Sequence, residues 1–200
     1  MTNDQRPTTN GQFLNRLKPY QDVIIFMVTL LVANYFWKFT VMGDEEGLNS
    51  TVTWFGLDIT APFEALSKHI AFAVYWLVSL VSDTVVMRGE HIVGFQNGNG
   101  SSIVWSCSGL KQMFIWFCLI LTVRGGWKQK VWFIPFGWLC CHLFNILRIA
   151  IITLFLENHP DWFPMLHDYI FKYLFYGMMF LLWVWFVERI RGREEESVAE

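Results

Sequence analysis

Two hundred residues with 54% hydrophobic, 18% aromatic and only 16% charged side chains make this chain too apolar for an ordinary soluble domain, in which about a quarter of the residues carry charge. Composition therefore places it in a membrane and excludes a nucleic-acid module, which needs a continuous, solvated basic surface. The net charge of −2 selects no partner.

Met1 to Tyr20 is polar, with no apolar stretch ending in small residues, so residues 1–22 read as a cytoplasmic N-terminal tail and not as a cleaved leader. Four stretches downstream, Val23 to Met42, Ser108 to Val123, Val131 to Leu156 and Tyr169 to Val187, are apolar enough to cross a hydrocarbon core, which takes about 20 helical residues. Basic residues in short loops favour the cytoplasmic side. Arg16 and Lys18 precede the first span, Arg124, Lys128 and Lys130 fill the turn between the second and third, and Arg189, Arg191 and Arg193 follow the fourth. An even number of crossings puts all of these on the cytoplasmic side, with residues 43–107 and 157–168 outside.

His69 to Val81 is also apolar, yet Glu64, Ser67, Lys68, Ala71, Tyr75, Ser79, Ser82 and Asp83 recur at helical steps opposite Phe63, Leu66, Ile70, Val74, Leu77 and Val81. The pattern predicts an interfacial amphipathic helix over residues 63–83; a short fifth span with the N-terminus outside is the alternative. Thr84 to Trp105 predicts short β segments, VVMR, HIVGF and SSIVW, joined by Gly-Glu and by Asn97-Gly98-Asn99-Gly100. The expected fold is an all-α polytopic membrane protein with about four transmembrane helices, an interfacial helix and a small extracytoplasmic β-hairpin. Residues 23–190 form one membrane-embedded domain and 191–200 a charged cytoplasmic tail.

Reactive or ionisable groups at or inside a membrane are costly to bury and are functional candidates by default. Cys107 lies in Trp105-Ser106-Cys107-Ser108-Gly109-Leu110 at the outer start of the second span, where backbone N–H groups and the positive helix end favour a thiolate. Ser106 or Ser108 can cap that helix, and Gly109 admits close approach of another backbone or a substrate. Asn145 and Arg148 share one face of the third span, and about 1.5 Å per residue from Val131 puts Arg148 roughly 25 Å along it, level with Cys107. Alone, such an arginine also fits snorkelling to the outer headgroups. His167, in Pro164-Met165-Leu166-His167-Asp168-Tyr169, opens the fourth span on the same side. An imidazole can take a thiol proton and return it to a leaving amine, while a fixed guanidinium stabilises a thiolate or an oxyanion.

Other residues carry plainer readings. His159 could be the base instead, and His142 shares the Asn145 and Arg148 face but lies nearer mid-membrane, where helix packing is the simpler role. Asp168 follows His167 directly, so on a helix it is expected to point elsewhere, with orienting the imidazole the less favoured alternative. Cys118, Cys140 and Cys141 read as small buried apolar residues. With no C-x-x-C pair and no metal cassette, neither metal nor cofactor is expected.

Taken in order, Cys107-Ser108-Gly109-Leu110 after a Gly-rich extended segment, Pro135 followed by Asn145-Ile146-Leu147-Arg148-Ile149, and then His167 resemble the motifs of the exosortase/archaeosortase family of membrane-embedded cysteine transpeptidases. The resemblance covers about residues 58–190. It implies Cys107 as nucleophile and Arg148 and His167 as the other catalytic members, supported by Asn145, Ser108 and Gly109. The implied partners are secreted proteins whose C-terminal tails carry a short motif, a transmembrane helix and a basic cluster, with water or a lipid or glycan acceptor ending the reaction. The implied location is the bacterial cytoplasmic membrane, with the site on the extracytoplasmic face. The chain is shorter than better-known members, which suggests a compact variant of the kind seen in Bacteroidetes-like bacteria. From the residues alone, a non-enzymatic scaffold or lipid-binding helical bundle also fits, with Asn145 and Arg148 only joining helices.

Overall fold

The computed structural model describes residues 20–43 and 51–199, with side chains through Ile190. The expected tail residues Arg16 and Lys18, and the side chains of Arg191 and Arg193, lie outside the described residues. Helix α1 (Gln21–Thr40) has Asp22 in its first turn and Lys38 in its last, each favourable to the helix dipole. It buries only Phe26 and Ala33, while Val28, Leu31, Tyr35 and Phe39 are exposed around the rest. A helix apolar on all sides faces lipid.

The chain passes from α1 into β1 (Val41–Gly43), which pairs antiparallel with β2 (Val52–Trp54), and β2 pairs with β3 (Leu57–Asp58). Strands this short carry no readable alternation, so this sheet is missing from the sequence expectation. Asp58 Oδ1 accepts hydrogen bonds from the Thr60 hydroxyl at 2.6 Å and the Thr60 N–H at 2.9 Å, starting α2 (Thr60–Ser79). Those two bonds hold the Asp58 carboxyl below its ordinary range.

Helix α2 is 20 residues long but is not among the helices apolar enough to cross a membrane. It buries Phe63, Ser67, Ile70, Ala71, Val74 and Val78, a face rotated from the expected one. Ser67 and Ala71 belong to the core and not to the polar stripe, because the Ser67 hydroxyl donates to the Val104 carbonyl at 3.1 Å and is satisfied inside. Val81 is exposed, since the helix ends at Ser79 and its period no longer applies. Phe72, Trp76 and Leu80 form an apolar ridge on the opposite face.

The three expected β segments form an antiparallel sheet of β4 (Val85–Arg88), β5 (Ile92–Phe95) and β6 (Gly100–Ser102), with Val85 opposite Phe95 and Ile92 opposite Ser102. Its turn is fastened to the end of a long helix, α4 (Trp127–Leu156), because the Asn97 and Asn99 amides donate to the Glu157 carbonyl at 2.7 and 3.0 Å. Ser101 and Thr153 share a further hydrogen bond of 2.7 Å. The sheet thus delivers the chain to a 3₁₀ turn (Trp105–Ser108) and to α3 (Leu110–Thr122).

After α4 come a 3₁₀ turn (Pro160–Trp162), a π-helical turn (Met165–Ile170) and α5 (Phe171–Ala199). Among the described residues, three stretches are long and apolar enough to cross a membrane: Gln21–Thr40, Trp127–Leu156 and Pro160–Ile190. The expected second span is shorter than the sequence reading. Helix α3 has 13 residues, about 20 Å at the standard rise, because Gly109 at φ +78° separates it from the 3₁₀ turn and Val123 is already extended. It packs deeply nonetheless: Trp116 of α3 is fully buried against Gly137 of α4, where a Cβ would collide with the indole. Small residues permit this close approach of helices in a membrane.

Candidate active site

Cys107 sits in the 3₁₀ turn ahead of α3, not in the helix itself, and its N–H donates to the Val104 carbonyl at 2.9 Å. Three hydrogen bonds to two helices hold this turn and its approach. The Ser67 bond to Val104 ties it to α2, the β6 contact at Thr153 ties its approach to α4, and the Asn145 amide donates to the Cys107 carbonyl at 2.7 Å. Gly109 takes the left-handed conformation, and a Cβ there would stand 3.2 Å from Asn145 Nδ2. A larger residue would meet that contact in addition to about 1–2 kcal/mol of backbone strain. Ser108 is buried, its hydroxyl accepting from the Leu110 N–H at 3.4 Å, whereas Ser106 is exposed and caps nothing. What closely approaches Gly109 is the Asn145 side chain, not another backbone.

Asn145 is 2% exposed, and Arg148 follows one turn later on α4. The Arg148 guanidinium lies within electrostatic reach of Cys107, Asp168 and Tyr176, which come from three other segments. Its Nε is buried and has no hydrogen-bond partner among the described residues. Such an orphan donor costs about 1–3 kcal/mol, so the fold maintains it at the expense of stability.

His167 lies in the π-helical turn, half-buried, with its ring stacked on Phe163 at a centroid distance of 5.1 Å. Its Nδ1 is 2.9 Å from Asp168 Oδ1. The expectation that Asp168 points elsewhere is therefore wrong. Neighbours on an α-helix diverge by about 100°, and here the two side chains meet within a π-helical turn, where that α-helical geometry does not hold.

The other candidates separate from this group. The His142 ring stacks on His69 of α2 at 5.3 Å, as a helix-packing pair, and His159 stacks on Trp162 at 5.2 Å in the exposed loop. None of the four cysteines forms a disulfide, and Cys141 is buried in the core between α1, α3, α4 and α5. Glu64, Glu90 and His91 place ligand atoms within 4.8 Å of one another, but Lys68 Nζ lies 2.7 Å from both carboxylates, so an ammonium already serves as their cation. Sequence reasoning missed Tyr176, which is one aromatic among many on α5.

Fold and site together define a multi-pass helical membrane protein in which Asn145 bonds the Cys107 turn, Arg148 lies within electrostatic reach of Cys107 and Asp168, and Asp168 contacts His167. The sequence model described as transmembrane exosortase (Exosortase_EpsH) matches residues 48–188, and the chain belongs to this exosortase family. No curated protein and no solved structure matches it.

Proposed function

We propose that the chain is a membrane-embedded cysteine transpeptidase or protease that cleaves C-terminal sorting tails on the extracytoplasmic face of a bacterial cytoplasmic membrane. Cys107 is the nucleophile. Its thiol proton passes to His167 as the sulfur attacks the scissile carbonyl carbon, and the same proton then goes to the departing amine, leaving a thioester on Cys107. Water, or an amine or hydroxyl of a lipid or glycan acceptor, attacks the thioester and frees the thiol. Arg148 stabilises the negative charge that moves from sulfur to the carbonyl oxygen and back. Asn145 holds the Cys107 turn, and Gly109 leaves room for that amide.

The observation that carries this reading is the buried Nε of Arg148, without a hydrogen-bond partner among the described residues, on a guanidinium within electrostatic reach of Cys107. A helix-joining arginine would be expected to spend its donors on neighbouring helices; here a donor is left for a group that arrives with the substrate. The sorting tail supplies that group as a carbonyl oxygen on its way to an oxyanion.

Alkylation of Cys107 by a membrane-impermeant reagent, at pH 7 and pH 9, tests the reading without a substrate. An ordinary thiol gains about 25-fold in rate across that interval. A thiolate held by Arg148 changes less than about threefold, and Arg148→Gln restores the steep dependence. A steep profile in the unmodified protein removes the activated nucleophile and leaves the scaffold.

A further inference from the structure

His167 and Asp168 are consecutive, yet their side chains touch. The π-helical turn over Met165–Ile170 brings the Asp168 carboxylate to 2.9 Å from Nδ1, and the Phe163 ring, inclined by 18°, fixes the plane of the imidazole. Two restraints thus act on one ring: stacking sets its plane, and a carboxylate claims one of its nitrogens. A carboxylate accepts hydrogen bonds only, so the neutral imidazole must carry its proton on Nδ1 and expose a basic Nε2.

From the His167–Asp168 contact and the π turn that contains it, we infer that Asp168 is a positioning residue, fixing His167 as the tautomer whose Nε2 takes and returns the proton. The inference rests on the transpeptidase reading above. In the first half of the reaction the thiol proton moves from sulfur to Nε2, giving an imidazolium whose Nδ1–H remains bonded to Asp168; in the second half it leaves Nε2 for the amine nitrogen. Asp168 stays anionic throughout and gains no proton. Its charge also acts on Arg148 of α4, within whose electrostatic reach lie Cys107 and Tyr176 of α5. One carboxylate therefore orients the base and acts electrostatically on the cation that steadies the oxyanion. π turns of this kind occur frequently at functional sites.

The nitrogen resonances of His167 in detergent-solubilised protein read the tautomer directly. The proton is expected on Nδ1 in the unmodified chain, with that preference lost in Asp168→Ala. The second readout is the cleavage rate of a co-produced secreted protein ending in a short motif, one transmembrane helix and a Lys/Arg cluster, followed against pH. Asp168→Asn should slow cleavage at least about tenfold and move the acidic limb of the profile, Asp168→Glu should recover part of the rate, and the thermal midpoint should hold because the carboxylate is exposed. A proton on Nε2 in the unmodified protein overturns the inference, as does Asp168→Asn cleaving at the original rate and with the original profile. Full cleavage by His167→Ala is a different result: it removes the base itself, and with it the transpeptidase reading, whatever the resonances show.

Discussion

The Asn145 side chain of α4 donates to the backbone carbonyl of Cys107 at 2.7 Å, so the residue one turn before Arg148 grips the turn that presents the thiol. A single helix thereby sets the spacing between Cys107 and Arg148.

Asn145→Leu keeps the number and branching of the side-chain heavy atoms and deletes the donor. It should remove the Asn145 hydrogen bond from the Cys107 carbonyl at a cost of about 1–3 kcal/mol, lowering the thermal midpoint of the purified protein, and it should slow tail cleavage although Cys107, Arg148 and His167 remain. Unchanged stability together with unchanged cleavage would show that the turn holds its shape without α4.

A second prediction concerns the ionic link between α2 and the sheet. Lys68 Nζ contacts Glu64 and Glu90 at 2.7 Å each, and the hydrogen bond from Lys68 holds the Glu90 carboxyl below its ordinary value of 4.5. A carboxyl with a lowered folded value stabilises above the unfolded value and loses that contribution as pH falls through the folded one. Glu90→Gln should therefore lower the thermal midpoint slightly at pH 7 and by less at about pH 3. An equal effect at both values would mean that the contact works through packing and not through charge.

Much of this fold was legible because a membrane imposes one strong rule, a run of apolar residues of fixed length, and α1, α4 and α5 obey it. The β4–β6 sheet was legible from Asn97-Gly98 between alternating apolar segments. The β1–β3 sheet was not, since two or three residues carry no period. The core face of α2 was misread because Ser67 looks polar on paper, and only the distant Val104 carbonyl makes its burial affordable. The candidate site shows the same division. Cys107, Asn145 and Arg148 stand out as polar groups in apolar surroundings, whereas Asp168 was set aside on the assumption of an α-helix where the chain makes a π turn.

Orientation gives a third prediction. If α2 lies on the outer surface without crossing, cysteines placed at Thr51 and at Asn97, on either side of it, should both react with an impermeant reagent added to intact cells. Labelling at only one of them would make α2 a span and put the Cys107 turn in a different relation to the membrane.

Arg148 separates positioned chemistry from mere charge. Lysine keeps the cation but loses the planar fork of donors, including the buried Nε–H, which has no partner among the described residues. Arg148→Lys should insert normally and cleave about 100-fold more slowly, the usual scale for losing one oxyanion donor. A fully active lysine variant would return Arg148 to the role of a headgroup contact.

The central claim is that one cysteine of the four carries the chemistry, and the direct measurement is tail cleavage in cells, read as the size shift of a co-produced tailed secreted protein. Cys107→Ala should leave that protein full-length and membrane-anchored, and adding His167→Ala should change nothing further, because residues acting as one unit are non-additive. The chain with Cys118, Cys140 and Cys141 all replaced by alanine should still cleave. Continued trimming at the normal rate by Cys107→Ala would contradict the account and leave a membrane scaffold in its place.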